Sequence, residues 1–214
     1  MSAARVARMC PAADPSAAAP APPRTAVTRE SVLDAALTLF AERGYHGTPL
    51  SEIAAALGIR TPSLYNHMGS KHELLETILT RTLDDVLAGF ADAVAGLGTP
   101  AEKLHAATRV YALRHATHRR EALVVNRDAA GLDEPDRSRI RDRRREHERA
   151  VRAIIVDGVR AGEFQVGDPA LASFAILEMS VSIARWFRDG GARTAEQVAD
   201  EFAGYALRIV RYRP

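Results

Sequence analysis

Six polar side chains fall within eight consecutive residues, Arg60, Thr61, Ser63, Tyr65, Asn66 and His67. All six can donate or accept hydrogen bonds, the chemistry that reads base edges and grips phosphate oxygens. Leu64 and Met68, four apart, pack inward on a helix through this stretch. Arg60, Thr61, Ser63, Asn66 and His67 then point outward, with Tyr65 at the edge. A helix that shows polar groups near its N-terminus is what the major groove of DNA admits. Just beyond, Ser70 is placed to cap a helix beginning KHELLETIL. Lys71 therefore sits in a first turn beside free backbone N–H groups, where a phosphate can bind.

Two further helices are needed to hold this one. In LSEIAAALGI, the residues Leu50, Ile53, Ala54 and Leu57 recur at i, i+3, i+4 and i+7 and form one apolar stripe. Thr48 is positioned to cap that helix, with Pro49 at its first position, and Gly58 ends it. The same device recurs at Thr61 as cap and Pro62 in the first turn of the polar helix. Upstream, TRESVLDAALTLFAERGYHG predicts a longer amphipathic helix with Val32, Leu33, Ala36, Leu37 and Phe40 on one face and Gly44 closing it.

These residues carry a resemblance. The helix ALTLFAERGY, then Thr48, then SEIAAALGI, then SLYNHMGSKHELL make the segment from Thr28 to Leu75 similar to the DNA-binding domain of the TetR family of transcriptional regulators. The resemblance implies that Thr48, Tyr65 and Lys71 contact phosphates. It makes Arg60, Thr61, Ser63 and Asn66 readers of bases, with His67 able to serve either purpose. Two residues depart from the family pattern: Pro49 stands where Ser or Thr is usual, and Met68 where Phe is usual, a softer plug for the same core position.

Charge adds little to this expectation. The chain of 214 residues carries 29 Lys and Arg against 27 Asp and Glu, a formal net charge of +2. Between Arg24 and Leu75 the basic residues Arg24, Arg29, Arg43, Arg60 and Lys71 are matched one for one by Glu30, Asp34, Glu42, Glu52 and Glu73. Placement must do what net charge does not. The arm MSAARVARMCPAADPSAAAPAPPR, through about residue 27, is predicted to be disordered, with Cys10 an incidental thiol. Its Arg5, Arg8 and Arg24 are solvated, or brush the minor groove. No apolar run approaches the 18 or so residues of a membrane span, and the arm lacks a leucine-rich secretory core, so the expected location is cytoplasmic.

Beyond residue 75 the periodicity stays helical, and no alternating strand pattern appears. A long helix from Lys71 carries Leu74, Leu75, Ile78, Leu79, Leu83, Val86, Leu87 and Phe90 and ends at Gly96 to Pro100. Later helices are expected from Ala101 to Thr117, through EALVVNRDAAGL to Gly131, from Asp133 to near Gly162, from Asp168-Pro169 to Gly190, and from Thr194 onward. The fold class is all-α: an N-terminal three-helix DNA-binding domain over 28–75 and a helical ligand-binding and dimerisation domain over 76–214, about nine helices in all.

The last two helices are apolar over a wide arc. In the family resembled, that pair builds a four-helix bundle with a symmetry mate, so a homodimer is expected. Two-fold symmetry also suits two reader helices that must meet grooves about 34 Å apart. The resemblance further implies a small-molecule cavity in the second half. Candidate liners are Tyr111, Arg114, His115, Asn126, Arg127, Glu178, Arg185 and Trp186, although singly a Trp is as well a core or dimer-edge aromatic and an Arg a surface charge. The run DRSRIRDRRREHER suits an anionic ligand, but the helix-neighbour pairs Asp142–Arg145, Arg143–Glu146 and Arg144–Glu148 favour a solvated, salt-bridged face. The segments RREALVVNRDAAGL, IVDGVRAGEF and ILEMSVSIARWFRDGG bear a loose resemblance to the branch that answers to acyl-coenzyme A thioesters.

His115 and His118 are spaced i, i+3 without a third ligand, so no metal is expected. No nucleophile–base order, phosphate-cradling glycine loop or paired carboxylate stands out, and neither an enzyme nor a cofactor is expected. The function expected is a ligand-responsive regulator, a repressor that binds a palindromic operator as a dimer and is released by a small molecule. Its rivals are an enzyme or ligand carrier with merely structural N-terminal helices, and an architectural DNA binder without an effector.

Overall fold

The computed structural model describes residues 26–213, and within them nine α-helices and no strand. The expectations for the N-terminal arm up to residue 25, including Cys10, Arg5, Arg8 and Arg24, lie outside the described residues. The helices are α1 (Arg29–Arg43), α2 (Leu50–Ala56), α3 (Thr61–Leu64), α4 (Lys71–Val94), α5 (Pro100–Thr117), α6 (Arg119–Arg127), α7 (Asp136–Arg160), α8 (Pro169–Trp186) and α9 (Ala195–Ile209).

Side-chain caps set most of the helix starts. The hydroxyl of Ser70 accepts from the Glu73 N–H at 3.0 Å, and Asp168 accepts from the N–H groups of Ala170 and Leu171. Thr28, Thr99 and Thr194 each form a reciprocal capping box three residues deep. Each such cap satisfies backbone donors that the first turn leaves unpaired, and is worth about 1 kcal/mol.

The structure corrects several boundaries. Pro49, not Thr48, occupies the N-cap of α2, and Arg60, not Thr61, that of α3; neither cap position makes a side-chain bond. The helix expected to reach Met68 is α-helical only to Leu64. It then tightens through i to i+3 bonds from the N–H groups of Tyr65, Asn66 and His67 to Pro62, Ser63 and Leu64. α6 begins at Arg119, and Gly131 ends a separate 3-10 turn, Ala129–Gly131. α8 stops at Trp186, because Phe187 turns extended to bury its ring, well before Gly190.

Three apolar clusters hold the chain. One joins Val32, Ala36 and Phe40 of α1 to Ile53, Leu64, Met68 and the first turns of α4, and continues into Val124 and Val125 of α6, Leu132 and Ile140. The three N-terminal helices thus have no core separate from the remainder. A second cluster packs α5, α7, α8 and α9 around Leu104, Ile155 and Ile176, and a third closes α5 on α8 and α9 at Ala112, Ile183 and Ala199. α4, at 24 residues roughly 36 Å long, contributes to the first cluster and reaches along α5 and α7.

Polar ties reinforce the joint between the halves. Arg127 donates to the carbonyls of Phe40 and of Ala41 (3.3 Å) at the end of α1, and clasps the buried Asp128. Arg120 pairs with Asp34 at 3.0 Å, Arg81 with Glu30, and His72 with Asp136 at 2.8 Å.

Candidate nucleic-acid interface and cavity

α3 and the turn after it follow the expected periodicity in part. Leu64 and Met68 are buried; Arg60, Tyr65 and Asn66 are exposed; Thr61, Ser63 and His67 are half-buried. Among the described residues none of these six polar side chains has a hydrogen-bond or ion-pair partner. On the neighbouring helices several long polar side chains are paired, Arg29 with Glu73, Arg43 with Glu52 and Arg81 with Glu30. The contrast marks a surface whose hydrogen-bonding capacity is unused. Lys71 stands next to it, its ammonium 4.4 Å from the centre of the Tyr45 ring, and partial burial lowers its pKa. A cation held over an aromatic face in the first turn of a long helix suits a phosphate oxygen.

Thr48 is a correction. It is fully buried, and its hydroxyl donates to the carbonyls of Leu39 (3.2 Å) and Gly44 (2.9 Å). Those carbonyls belong to the last turn and the C-cap of α1, so the hydroxyl serves the joint between α1 and α2 and does not face a phosphate.

The second half encloses a cavity of about 470 Å³ among α4, α5, α6, α7 and α8. Of the eight candidate liners, Tyr111, Arg114, His115, Asn126 and Glu178 face it. Arg127, Arg185 and Trp186 do not. Arg127 points the other way, onto α1, while Arg185 and Trp186 lie on the exposed outer face of α8. The cavity's body is apolar, walled by Leu83, Val86, Val125, Ile140, Leu177 and Val181.

Sequence reasoning missed its arginines. Arg137, Arg141, Arg144 and Arg145 all line the cavity, from the basic run taken for a solvated face. Of the three pairs expected there only Asp142–Arg145 forms, at 3.5 Å. Arg143 reaches Asp84 of α4, and Arg144 donates to Asn126 Oδ1 (2.9 Å) and the Val125 carbonyl (3.3 Å) of α6. The signal was present: positions 137, 141, 144 and 145 flank the buried Ile140 and His147 on the same side of α7, so their exposed side chains rim the cavity.

At the inner end the aromatic rings stack. Tyr111 meets His115 at 4.3 Å and His147 at 4.7 Å between centroids, and His147 meets Phe90 edge-on. Burial lowers the pKa of both imidazoles to about 4 and raises that of the Tyr111 phenol to about 12. All three are neutral near pH 7. Nδ1 of His115 lies 2.8 Å from the Tyr111 carbonyl, which only accepts, so this nitrogen carries the proton. His118 places its Nδ1 on the Thr117 hydroxyl, and among the described residues no group of three or more His, Cys, Asp or Glu side chains is arranged to hold a metal.

Comparison with known proteins places this architecture. Residues 97–210 match the tetracyclin repressor-like C-terminal domain, and residues 32–78 match the bacterial regulatory proteins of the tetR family. The chain belongs to the TetR family. It is a ligand-responsive transcriptional regulator, allied by sequence to repressors. The HTH-type transcriptional repressor KstR2 of Mycobacterium tuberculosis is 30% identical over 183 residues, covering 84% of this chain and 90% of that protein. The structure of the ketosteroid transcriptional regulator KstR2 of the same organism has a TM-score of 0.81 at 28% identity, covering 87% of this chain and 95% of that one. AibR in complex with isovaleryl coenzyme A and operator DNA has a TM-score of 0.77 at 27% identity, covering 86% and 99%. Among the described residues no helix of this TetR-family chain is long and apolar enough to cross a membrane.

Proposed function

We propose that this regulator represses transcription as a cytoplasmic homodimer on a palindromic operator, and leaves it when an acyl-coenzyme A thioester fills the cavity. Arg60, Thr61, Ser63 and Asn66 read bases, Tyr65 and Lys71 hold phosphates, and His67 serves either. Dimerisation uses α8 and α9, where Leu171, Phe174, Trp186 and Tyr205 stand exposed, more apolar side chain than a monomer leaves to water on one face. The effector's acyl part lies in the apolar body, while Arg137, Arg141, Arg144 and Arg145 meet the anionic phosphates of its nucleotide. The relatives' ligands support this class, since AibR is known with isovaleryl coenzyme A.

The observation that carries the proposal is a shared wall. Leu83, Val125, Ala129 and Ile140 line the cavity and also pack in the apolar cluster that holds α1, α2 and α3. A ligand that moves this wall moves the reader. Gly131, in the same turn as Ala129, lies so near Tyr45 that an added Cβ would come within 2.8 Å of the ring, and that ring carries Lys71. To take the operator from nearly full to nearly empty, the effector must favour the released conformer by about 5.5 kcal/mol.

Selection of bound sites from random duplex DNA, repeated with octanoyl-coenzyme A present, tests this reading. Enrichment of palindromes with half-sites one helical turn apart, lost on adding the thioester, is the expected result. Binding without sequence preference would refute the DNA reading, turnover of the thioester would favour an enzyme, and a monomer in sedimentation at micromolar concentration would refute the dimer.

A further inference from the structure

A second, smaller pocket of about 190 Å³ adjoins the main cavity, and Val86, Tyr111, Arg114, His118 and His147 line both. The partition holds a polar group with nothing to bond. His147 is 5% exposed, and among the described residues neither of its ring nitrogens has a hydrogen-bond partner. The Tyr111 hydroxyl beside it has none either. Both rings are held by stacking alone, His147 between Phe90 and Tyr111.

Buried polar groups are normally paired, and one left open on the wall of a cavity is free to bond whatever fills it. The arginines on α7 lie toward its N-terminal end; His147 follows Arg144 by three residues, about 4.5 Å along the axis. The site is therefore graded, with a cluster of arginines at one end and the unpaired neutral groups of His147 and Tyr111 at the other, beside an Arg114 whose charge is already met by Asp85 at 3.0 Å. We propose that the effector carries, on its buried hydrocarbon part and separate from its anionic head, a neutral oxygen function, a ketone or hydroxyl, that hydrogen-bonds to His147 and Tyr111. Near neutral pH the imidazole offers one N–H and one lone pair and the phenol one O–H, so either oxygen type is matched. A second carboxylate is disfavoured there, because burial that strips an imidazolium of its proton also penalises an unpaired anion.

The inference rests on the cavity being the effector site, and the test separates the two. Octanoyl-coenzyme A is titrated calorimetrically into the full chain alongside thioesters of the same length bearing one keto or hydroxyl group placed successively along the acyl chain. The expected result is that an oxygenated member binds at least about tenfold more tightly than octanoyl-coenzyme A. His147→Phe, which keeps an aromatic ring in place, erases that ratio, and Tyr111→Phe lowers it, in variants whose thermal unfolding stays cooperative. A merely structural role would weaken all thioesters alike. Equal binding of every thioester by the unmodified chain, or a ratio untouched by both substitutions, overturns this inference and leaves the effector reading standing. No binding of any thioester by a chain that still binds operator overturns both.

Discussion

The two functional regions are built in opposite ways. The proposed reader concentrates its polar groups in residues 60–67, on one short helix and its following turn, with side chains exposed or half-buried and unpaired among the described residues. The cavity draws on five helices, buries Tyr111, His115 and His147 in their neutral forms, and gathers most of its positive charge on the arginines of α7. A surface that must match a rigid polymer can be local, because the polymer supplies the geometry. A site that must enclose a small molecule has to be assembled by tertiary packing.

The difference is sharpest in acid. In the unfolded chain His115 and His147 take up a proton near the ordinary 6.5, but in the fold burial delays this to about 4. Between those values the unfolded state binds more protons, so stability is complete above 6.5 and falls as pH drops toward 4. The loss is on the order of 3 kcal/mol for each imidazole. Urea unfolding midpoints followed from pH 7.5 to about 4.5 check it. Replacing both histidines with Phe should flatten the profile over that window.

Arg127→Ala attacks the joint between the regions. It frees the end carbonyls of α1 and leaves Asp128, 7% exposed, without its cation, a loss of about 2 kcal/mol in thermal or urea denaturation. Operator release should then need more effector, because α6 no longer grips α1. Unchanged release would locate the coupling in the apolar wall alone.

Within the reader, two substitutions divide positioning from reading. Asn66→Ala should change which bases are tolerated, by about 1–2 kcal/mol at one position of the site. Lys71→Ala should weaken every DNA sequence alike and lower the slope of log affinity against log salt by about one. Selection from random DNA and salt titrations distinguish them. The smallest effect is expected at Thr48→Val, about 1 kcal/mol of stability from the lost bonds to Leu39 and Gly44, with operator affinity of the folded protein retained. A fall in affinity without a fall in stability would restore Thr48 to the phosphate contacts.

How much of this was legible before the fold was known follows the same divide. Helix starts at Ser70, Thr99, Asp168 and Thr194 were readable because a cap and its partner lie two or three residues apart. The inward set Val32, Leu33, Ala36, Leu37 and Phe40 and the exposure of Arg60 and Asn66 followed from helical period alone, whereas Thr61, Ser63 and His67, expected outward, are half-buried, and Tyr65, expected at the edge, is exposed. Thr48 misled because its hydroxyl bonds backward to α1, nine and four residues away, where no local pattern shows an unpaired carbonyl. In the basic run, near neighbours offered Glu146 and Glu148 as partners, whereas packing delivered Asp84 and Asn126. Arg127 and Trp186 were sound choices by type but lie on the wrong faces, one turned to α1 and the other to the outside.

What the sequence determined by itself was therefore the helical character, the side-chain caps at Ser70, Thr99, Asp168 and Thr194 and the polar run at residues 60–67, since each depends on residues within one or two turns of one another. Tertiary structure alone decided the cavity, the row of arginines around it, the unpaired His147 at its partition and the wall it shares with the reader. Those depend on which helix faces meet across gaps of tens of residues, and that is settled by burying apolar area over the whole chain, with polar groups satisfied wherever the packed helices bring them together.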